Sequence, residues 1–250
     1  MSGHSHWATI KHKKGAIDAK RGKLWSKLSR AIIIAARHGG GDPTMNLKLR
    51  YAIDKARQVS MPKDNIERAI KRGTGETEGL VFEEITYEGI GPGGVAMLVD
   101  VVTDNRNRTS GEVRKIFERS GAKMGSAGSV AYQFERKGVF SVNAGEIDED
   151  TLMSIALDAG ADDIKQAGST FDVTCDPAHF NAVQEALKAK GLNLAVAEIS
   201  QVGKALVDLD AEGAKKVLRL MEALDDHDDV QNVYSTLNLT EEVMAEMAKE

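Results

Sequence analysis

A single cysteine, Cys175, stands in 250 residues. No internal disulfide and no paired-cysteine zinc site can therefore form. The alternation of Phe171-Asp172-Val173-Thr174-Cys175 places that cysteine in a strand, as a small packed hydrophobe rather than a nucleophile. Long apolar runs are missing too. The longest, Ala31-Ile32-Ile33-Ile34-Ala35-Ala36, falls far short of the ~20 residues that cross a bilayer, so no membrane partner is expected. The opening MSGHSHWATIKHKK has no apolar h-region and does not read as a secretory signal. Acid is absent from the first 17 residues, but Gly3, the histidines and the late first arginine, Arg21, fit a transit peptide poorly. A cytoplasmic chain is expected. No Ser/His/Asp group or carboxylate pair stands in a recognisable frame, so neither an enzyme, a small-molecule substrate nor a cofactor is expected.

What the sequence does have is a charge split by position. Residues 1–73 carry 17 Lys and Arg against 5 Asp and Glu, a net of +12. The remaining 177 residues carry 16 against 33, a net of −17. The whole-chain figure of −5 hides a basic arm fused to an acidic body. Such asymmetry points to a polyanionic partner for the basic part, because like charges on a small domain repel unless something anionic binds.

The arm reads as a polar tail, Ser2 to Lys14, expected to be unstructured, followed by three helices. From Ala16 to His38, Ile17, Leu24, Leu28, Ile32 and Ala35 recur at helical steps and make an apolar stripe. Lys13, Lys20, Lys23, Lys27, Arg30 and Arg37 make a second stripe beside it. Gly39-Gly40-Gly41 supplies a left-handed stop. A second helix fits Asn46 to Val59, with Leu49, Ala52, Ile53 and Ala56 inward. A third starts near Ser60, tolerates Pro62 in its first turn and stops at Gly73. The residues expected to meet nucleic acid are His4, His6, Trp7, Lys11, His12, Lys13, Lys14, Lys20, Arg21, Lys23, Lys27 and Arg30. Trp7 is the better candidate for stacking on bases; Trp25 is expected in the core. The three histidines have no buried fourth ligand, so no zinc site is expected.

In the body, Phe82 to Glu88 and Val95 to Thr103 read as strands. Between them Gly89-Ile90-Gly91-Pro92-Gly93-Gly94 matches GxGxxG letter for letter. A dinucleotide motif needs a helix after its glycines; a strand follows here, so a glycine-rich hairpin loop is expected. Then comes Thr103-Asp104-Asn105-Arg106-Asn107-Arg108-Thr109 before a helix running to Gly121. Thr109 and Glu112 have the spacing of a capping box. Asn105, Arg106, Asn107 and Arg108 thus crowd a helix N-terminus, where backbone N–H groups and arginine forks hold phosphate. Further on, Val130–Phe134 and Val139–Val142 flank Arg136-Lys137-Gly138 as an expected hairpin. Asp225-Asp226-His227-Asp228-Asp229 lacks the glycine and spacing of a calcium loop and reads as a solvated helix-to-strand turn.

The order β-α-β-β-α-β between roughly 131 and 203 is a ferredoxin-like pattern. A final helix, Ala211–Leu224, and strand, Val230–Leu237, complete the unit begun at Val95. The expected class is α+β: an N-terminal three-helix domain, 1–76, followed by two ferredoxin-like-type α/β sandwich domains. One of these, 77–130 plus 204–250, would be interrupted by the other, 131–203.

The motifs together resemble the YebC/PmpR family over essentially the full length. They are Gly3-His4-Ser5-His6-Trp7, Ile10-Lys11-His12, Asp18 to Lys23, Gly39 to Pro43, Met61-Pro62-Lys63, Tyr87-Glu88-Gly89, Thr103 to Thr109, Gly128-Ser129-Val130 and Asp229 to Tyr234. His6 stands where the family usually has Lys, and Leu47 where it usually has Pro. The resemblance implies three domains, the third inserted in the second, and a non-enzymatic cytoplasmic regulator. It implies a DNA-binding transcription regulator. The alternative is an RNA- or ribosome-binding translation factor that relieves slow or stalled translation. The expected partner is nucleic acid, either DNA or ribosomal RNA.

Overall fold

The computed structural model describes residues 18–77 and 81–247. Three helices come first: α1 (Asp18–Gly39), α2 (Leu47–Gln58) and α3 (Lys63–Gly73). Gly40, at φ +82°, ends α1 in the left-handed region, where a Cβ would be strained. Asn46 then starts α2: its side chain accepts from Leu49 N at 3.1 Å and donates to the Ala35 and Gly40 carbonyls. One amide thus caps one helix while closing the end of the other. At Gly73 a Cβ would lie 2.4 Å from the Ile33 carbonyl oxygen, so α3 crosses α1 too closely for any side chain there.

The second half of α1 departs from the single stripe. Ile32, Ile33, Ile34, Ala35 and Ala36 are all buried. Their cluster includes residues of α2 and α3 and, from the body, Phe82 and Val102. Leu24, expected inward, is exposed, while Trp25 packs against the cluster as expected and its indole N–H donates to Val59 O at 3.2 Å.

The body holds two four-stranded sheets. The first contains β1 (Glu83–Ile90), β2 (Ala96–Thr103), β3 (Lys123–Met124) and β9 (Val230–Ser235), in the order β3-β1-β2-β9. β1 and β2 form the hairpin expected around the glycines, with Ile90 opposite Ala96. Alternation along β2 sends Val95, Met97, Val99 and Val101 into a core with α4 (Arg106–Arg119) and α7 (Ala211–Asp225). It sends Ala96 and Leu98 the other way, onto Val130, Phe134 and Tyr234.

The second sheet contains β4 (Phe134–Asn143), β5 (Ala161–Ala167), β6 (Thr170–Cys175) and β7 (Leu194–Gly203), in the antiparallel order β5-β6-β4-β7. Helices α5 (Glu149–Asp158) and α6 (Phe180–Ala189) contribute Leu152, Ala156, Phe180, Val183 and Leu187 to its core. The hairpin expected at Arg136-Lys137-Gly138 does not form. Those residues lie inside the continuous strand β4, which pairs with β6 and β7 on either side. A short parallel pair, β8 (Val207–Asp208) with β10 (Leu237–Asn238), and helix α8 (Glu241–Met247) complete the described chain. The class is α+β.

The helical arm touches both sheets. Phe82 and Val102 join its core. Tyr51 of α2 meets Phe180 edge-on at 5.5 Å and its hydroxyl hydrogen-bonds Asn181, while Lys55 pairs with Glu198 at 2.6 Å. No helix among the described residues is long and apolar enough to cross a membrane.

Candidate nucleic-acid interface

Helix α4 begins at the end of β2, and its true N-cap is Asn105, whose side chain accepts from Arg108 N at 3.1 Å. The capping box expected from Thr109 and Glu112 is not used. Thr109 is fully buried one turn inside the helix, and its hydroxyl donates to Asp229 Oδ2 at 2.6 Å. Thr103 donates to the same oxygen at 3.0 Å and Arg108 Nη2 at 2.7 Å. The other carboxylate oxygen, Oδ1, faces Arg30 Nη1 of α1 at 3.0 Å. The Asp229 backbone closes the cluster: its N–H donates to His227 Nδ1 and its carbonyl accepts from Val102 N.

Asp229 is therefore the last residue of a turn that looked solvated and is in fact a buried anchor, its side chain 3% exposed. Burial alone would raise its carboxyl pKa. Hydrogen bonds from Thr109, Arg108 and Thr103, with the charge of Arg30, outweigh burial and hold it below the ordinary value. Buried charges persist when paired and hydrogen-bonded in this way. Arg108 is held in turn by Asp229 and Asp104, which raise its pKa, so this arginine does have a structural task.

The rest of the turn answers α1. Lys23 Nζ donates to Asp226 O, Lys27 Nζ to Asp225 O and Arg30 to Asp228 O. Lys23 also faces the Asp228 carboxylate at 3.5 Å, and Lys27 that of Asp225 at 3.5 Å. Asp225 ends α7, so these carbonyls belong to a helix C-terminus and the turn after it. There the last carbonyls lack intrahelical partners and the dipole favours cations. The basic stripe of α1 is thus joined to the C-terminal end of α7.

Beside this junction lies an open cleft of about 590 Å³. Lys23 and Arg30 of α1, Arg108, Lys115 and Arg119 of α4, and Asp226 to Asp229 contribute to its walls. The spacing 108, 112, 115, 119 places one face of α4 along it, while Val113 and Phe117 face the core. Lys115 and Arg119 are exposed and have no ion-pair partner among the described residues.

Of the expected site residues, Lys23, Arg30 and Arg108 meet at this cleft, with Lys27 behind them, 9% exposed. Arg106 and Asn107 are exposed in the first turn of α4; Arg106 is 3.9 Å from Glu83. Asn105 is engaged as the cap. Lys20 and Arg21 fall in the first turn of α1, and only their backbone is described. His4, His6, Trp7, Lys11, His12, Lys13 and Lys14 lie outside the described residues. Reading the sequence missed Asp229, Lys115 and Arg119. The helical spacing of the two cations from Arg108 was visible; the partner of Asp229 on α1, nearly 200 residues away, was not.

Comparison with known proteins bears on the whole chain. Residues 5–76 match a profile described as the TACO1/YebC protein N-terminal domain, and residues 82–237 one described as the TACO1/YebC second and third domain. A protein of Dictyoglomus turgidum is 52% identical over 99% of this chain and 100% of its own length, and one of Treponema pallidum is 53% identical over 98% and 100%. Both are named probable transcriptional regulatory proteins. The crystal structure of a conserved hypothetical protein from Aquifex aeolicus superposes with a TM-score of 0.83 at 46% identity, covering 94% of this chain and 98% of that one. The motifs that meet at Asp229, Thr103–Thr109 and Asp229–Tyr234, are among those that carried the resemblance, and the chain belongs to the TACO1/YebC family.

Proposed function

We propose that this chain is a non-enzymatic, nucleic-acid-binding regulator of gene expression, and that the cleft between α1 and α4 is its phosphate-binding face. The carrying observation is the pair Lys115 and Arg119, unpaired among the described residues and directed to the same cleft as Lys23, Arg30 and Arg108. Cations without an ion-pair partner among the described residues, at the edge of a +12 arm, are the electrostatic footprint of a polyanion. The names of the relatives support DNA as that polyanion.

RNA or the ribosome is the alternative. Base-specific readout of DNA needs arginines or amides presented at a helix end. In the described arm Asn46 is buried as a cap and Asn65 accepts from Arg68 at 3.0 Å, which leaves Arg57 and Gln58 at the C-terminal end of α2 as an exposed arginine and amide at a helix end. A surface that grips phosphate and reads shape suits structured RNA equally well. The inserted unit then has boundaries near 131 and 203.

The test is binding of the full chain to promoter DNA, unrelated DNA and ribosomes across a salt series. A log–log slope that grows with the number of phosphate contacts supports the reading. Promoter binding no tighter than unrelated DNA at matched salt removes the sequence-specific regulator. Failure to co-sediment with ribosomes at low salt removes the translation factor.

A further inference from the structure

The middle of the α1 stripe, Lys23, Lys27 and Arg30, is already filled. Three carboxylates (Asp225, Asp228 and Asp229) and three main-chain carbonyls (Asp225, Asp226 and Asp228) of the turn 225–229 meet Lys23, Lys27 and Arg30, as a strand of phosphates would. We infer that this turn is an internal substitute for the polyanion: nucleic acid entering the cleft along Lys115 and Arg119 exchanges places with it on Lys23 and Lys27 and opens the α1–α7 contact. The inference rests on the proposed phosphate-binding role of the cleft.

The contacts are graded in strength along α1, and the grading gives the opening a direction. At the outer end the Lys23–Asp228 pair is long, 3.5 Å, with side chains 38% and 70% exposed. Such pairs contribute little and are screened by salt. Lys27 is better sheltered but meets its carboxylate only at 3.5 Å. At the inner end Arg30 pairs at 3.0 Å with Asp229, whose other oxygen is held by Thr103, Thr109 and Arg108. Arg30 also lies over the Phe82 ring, 5.7 Å from its centroid. Removing one partner of a buried pair is strongly unfavourable, so Arg30–Asp229 stays closed and acts as the pivot. Lys23 and Lys27, one helical turn apart on the side away from the arm's core, are the cations that change partner.

The position of Lys115 and Arg119 fits this exchange. Lys115 and Arg119 line the same cleft as Lys23, Asp226 and Asp228. A polyanion held by α4 lies beside the weakest of the internal pairs. Its phosphates would repel Asp226 and Asp228, both exposed, while attracting Lys23. Neutral backbone carbonyls and one screened carboxylate are poorer partners for an ammonium group than phosphate oxygens, because a phosphate adds the attraction of a full opposite charge.

The experiment uses the full chain with two readouts. The first is affinity for a 30-base RNA and a 30-base-pair DNA duplex, comparing the parent with Asp225→Asn/Asp226→Asn/Asp228→Asn. A charge-matched control carries Glu149→Gln/Asp150→Asn/Asp158→Asn on α5. The second is the distance between spin labels at Ser26→Cys on α1 and Arg219→Cys on α7, both exposed positions. The native Cys175 is fully buried and its thiol is pushed up to about 11, so it does not label at neutral pH. The expected result is binding roughly tenfold tighter in the turn variant than in the control, and a Ser26–Arg219 distance that lengthens at saturating nucleic acid. If the triple variant lowers the melting temperature, Asp226→Asn/Asp228→Asn replaces it, since both sites are exposed and their carbonyls are retained. An unchanged distance at saturation, or turn-variant affinity equal to the control, overturns the inference and leaves the phosphate-binding reading standing. No binding of either oligonucleotide by any variant at low salt overturns both.

Discussion

Helices α1 and α4 each present lysines and arginines at helical spacing, yet their cations do opposite things. Lys23, Lys27 and Arg30 of α1 are answered by the end of α7 and the turn beyond it. On α4 Arg108 is answered closely, by Asp104 and Asp229, and Arg106 only at 3.9 Å by Glu83, while Lys115 and Arg119 have no ion-pair partner among the described residues. Basic residues in a sequence therefore do not measure free positive surface. What decides is whether a helix C-terminus or a carboxylate lies opposite, and that is set by the fold. The described part of the basic arm is a clamp on its own acidic body.

The strongest way to break the comparison is to remove the residue on which both helices lean. Asp229→Ala leaves Arg30 and Arg108 facing a buried hole and strips Thr103 and Thr109 of their acceptor. A loss of about 3–5 kcal/mol is expected, the usual cost of breaking a buried charge cluster, read from urea unfolding. A loss under about 1 kcal/mol would assign the cluster to the surface class of ion pairs.

The next test separates binding from clamping. Lys115→Ala/Arg119→Ala should leave the melting temperature unchanged and lower the salt slope of nucleic-acid binding by about two. Lys27→Ala/Arg30→Ala should shift the unfolding midpoint as well, because it uncaps α7 and takes one of its two cations from Asp229. If both pairs lower stability equally, α4 is clamped too and the contrast between the helices disappears.

Acid sharpens the contrast in another way, through a second buried carboxylate. Glu88 is satisfied by main-chain dipoles: Gly128 N at 2.5 Å, Val130 N at 2.7 Å and Ala131 N at 2.8 Å. Burial raises its pKa, but these bonds and that of Ser129 outweigh burial, and its pKa, like that of Asp229, is held below the ordinary value. A carboxyl lowered in the folded state stabilises fully above its unfolded pKa, and that contribution fades as pH falls through the folded one. Stability should therefore decline as pH drops below about 4. Glu88→Gln should flatten the decline without touching nucleic-acid affinity; an unaltered acid limb would mean that other carboxylates control it.

How much of this was legible follows from which contacts are local. The three arm helices, their glycine stop and the β-α-β-β-α-β order are written in periodicity within short windows, and all are present. The strand β4 was misread because Arg136-Lys137-Gly138 has turn composition; pairing with both β6 and β7 overrides it. The N-cap was misplaced by four residues because Thr109 and Glu112 carry the right spacing, while the buried acceptor that draws Thr109 inward is 120 residues away. Asp225–Asp229 looked solvated for the same reason: each acid points differently, and only the fold brings a basic helix to meet them.

The smallest effect separates the two arginines that sequence alone treats as a pair. Arg106 is 65% exposed and 3.9 Å from Glu83, which is itself half exposed. Such a contact is worth little. Arg106→Ala should thus leave unfolding unchanged and, if α4 grips phosphate, reduce the salt slope by about one. Arg108→Ala should do the reverse in its first effect: it removes a donor at 2.7 Å from buried Asp229 and lowers stability whether or not nucleic acid is present. A double substitution mixes the two effects, so the single variants must be compared. An Arg106→Ala protein with parent affinity and slope at every salt concentration would confine the grip to the cleft-facing side of α4, where Lys115 and Arg119 stand, and would leave the loop Asn105–Arg108 as the cap and anchor of that helix.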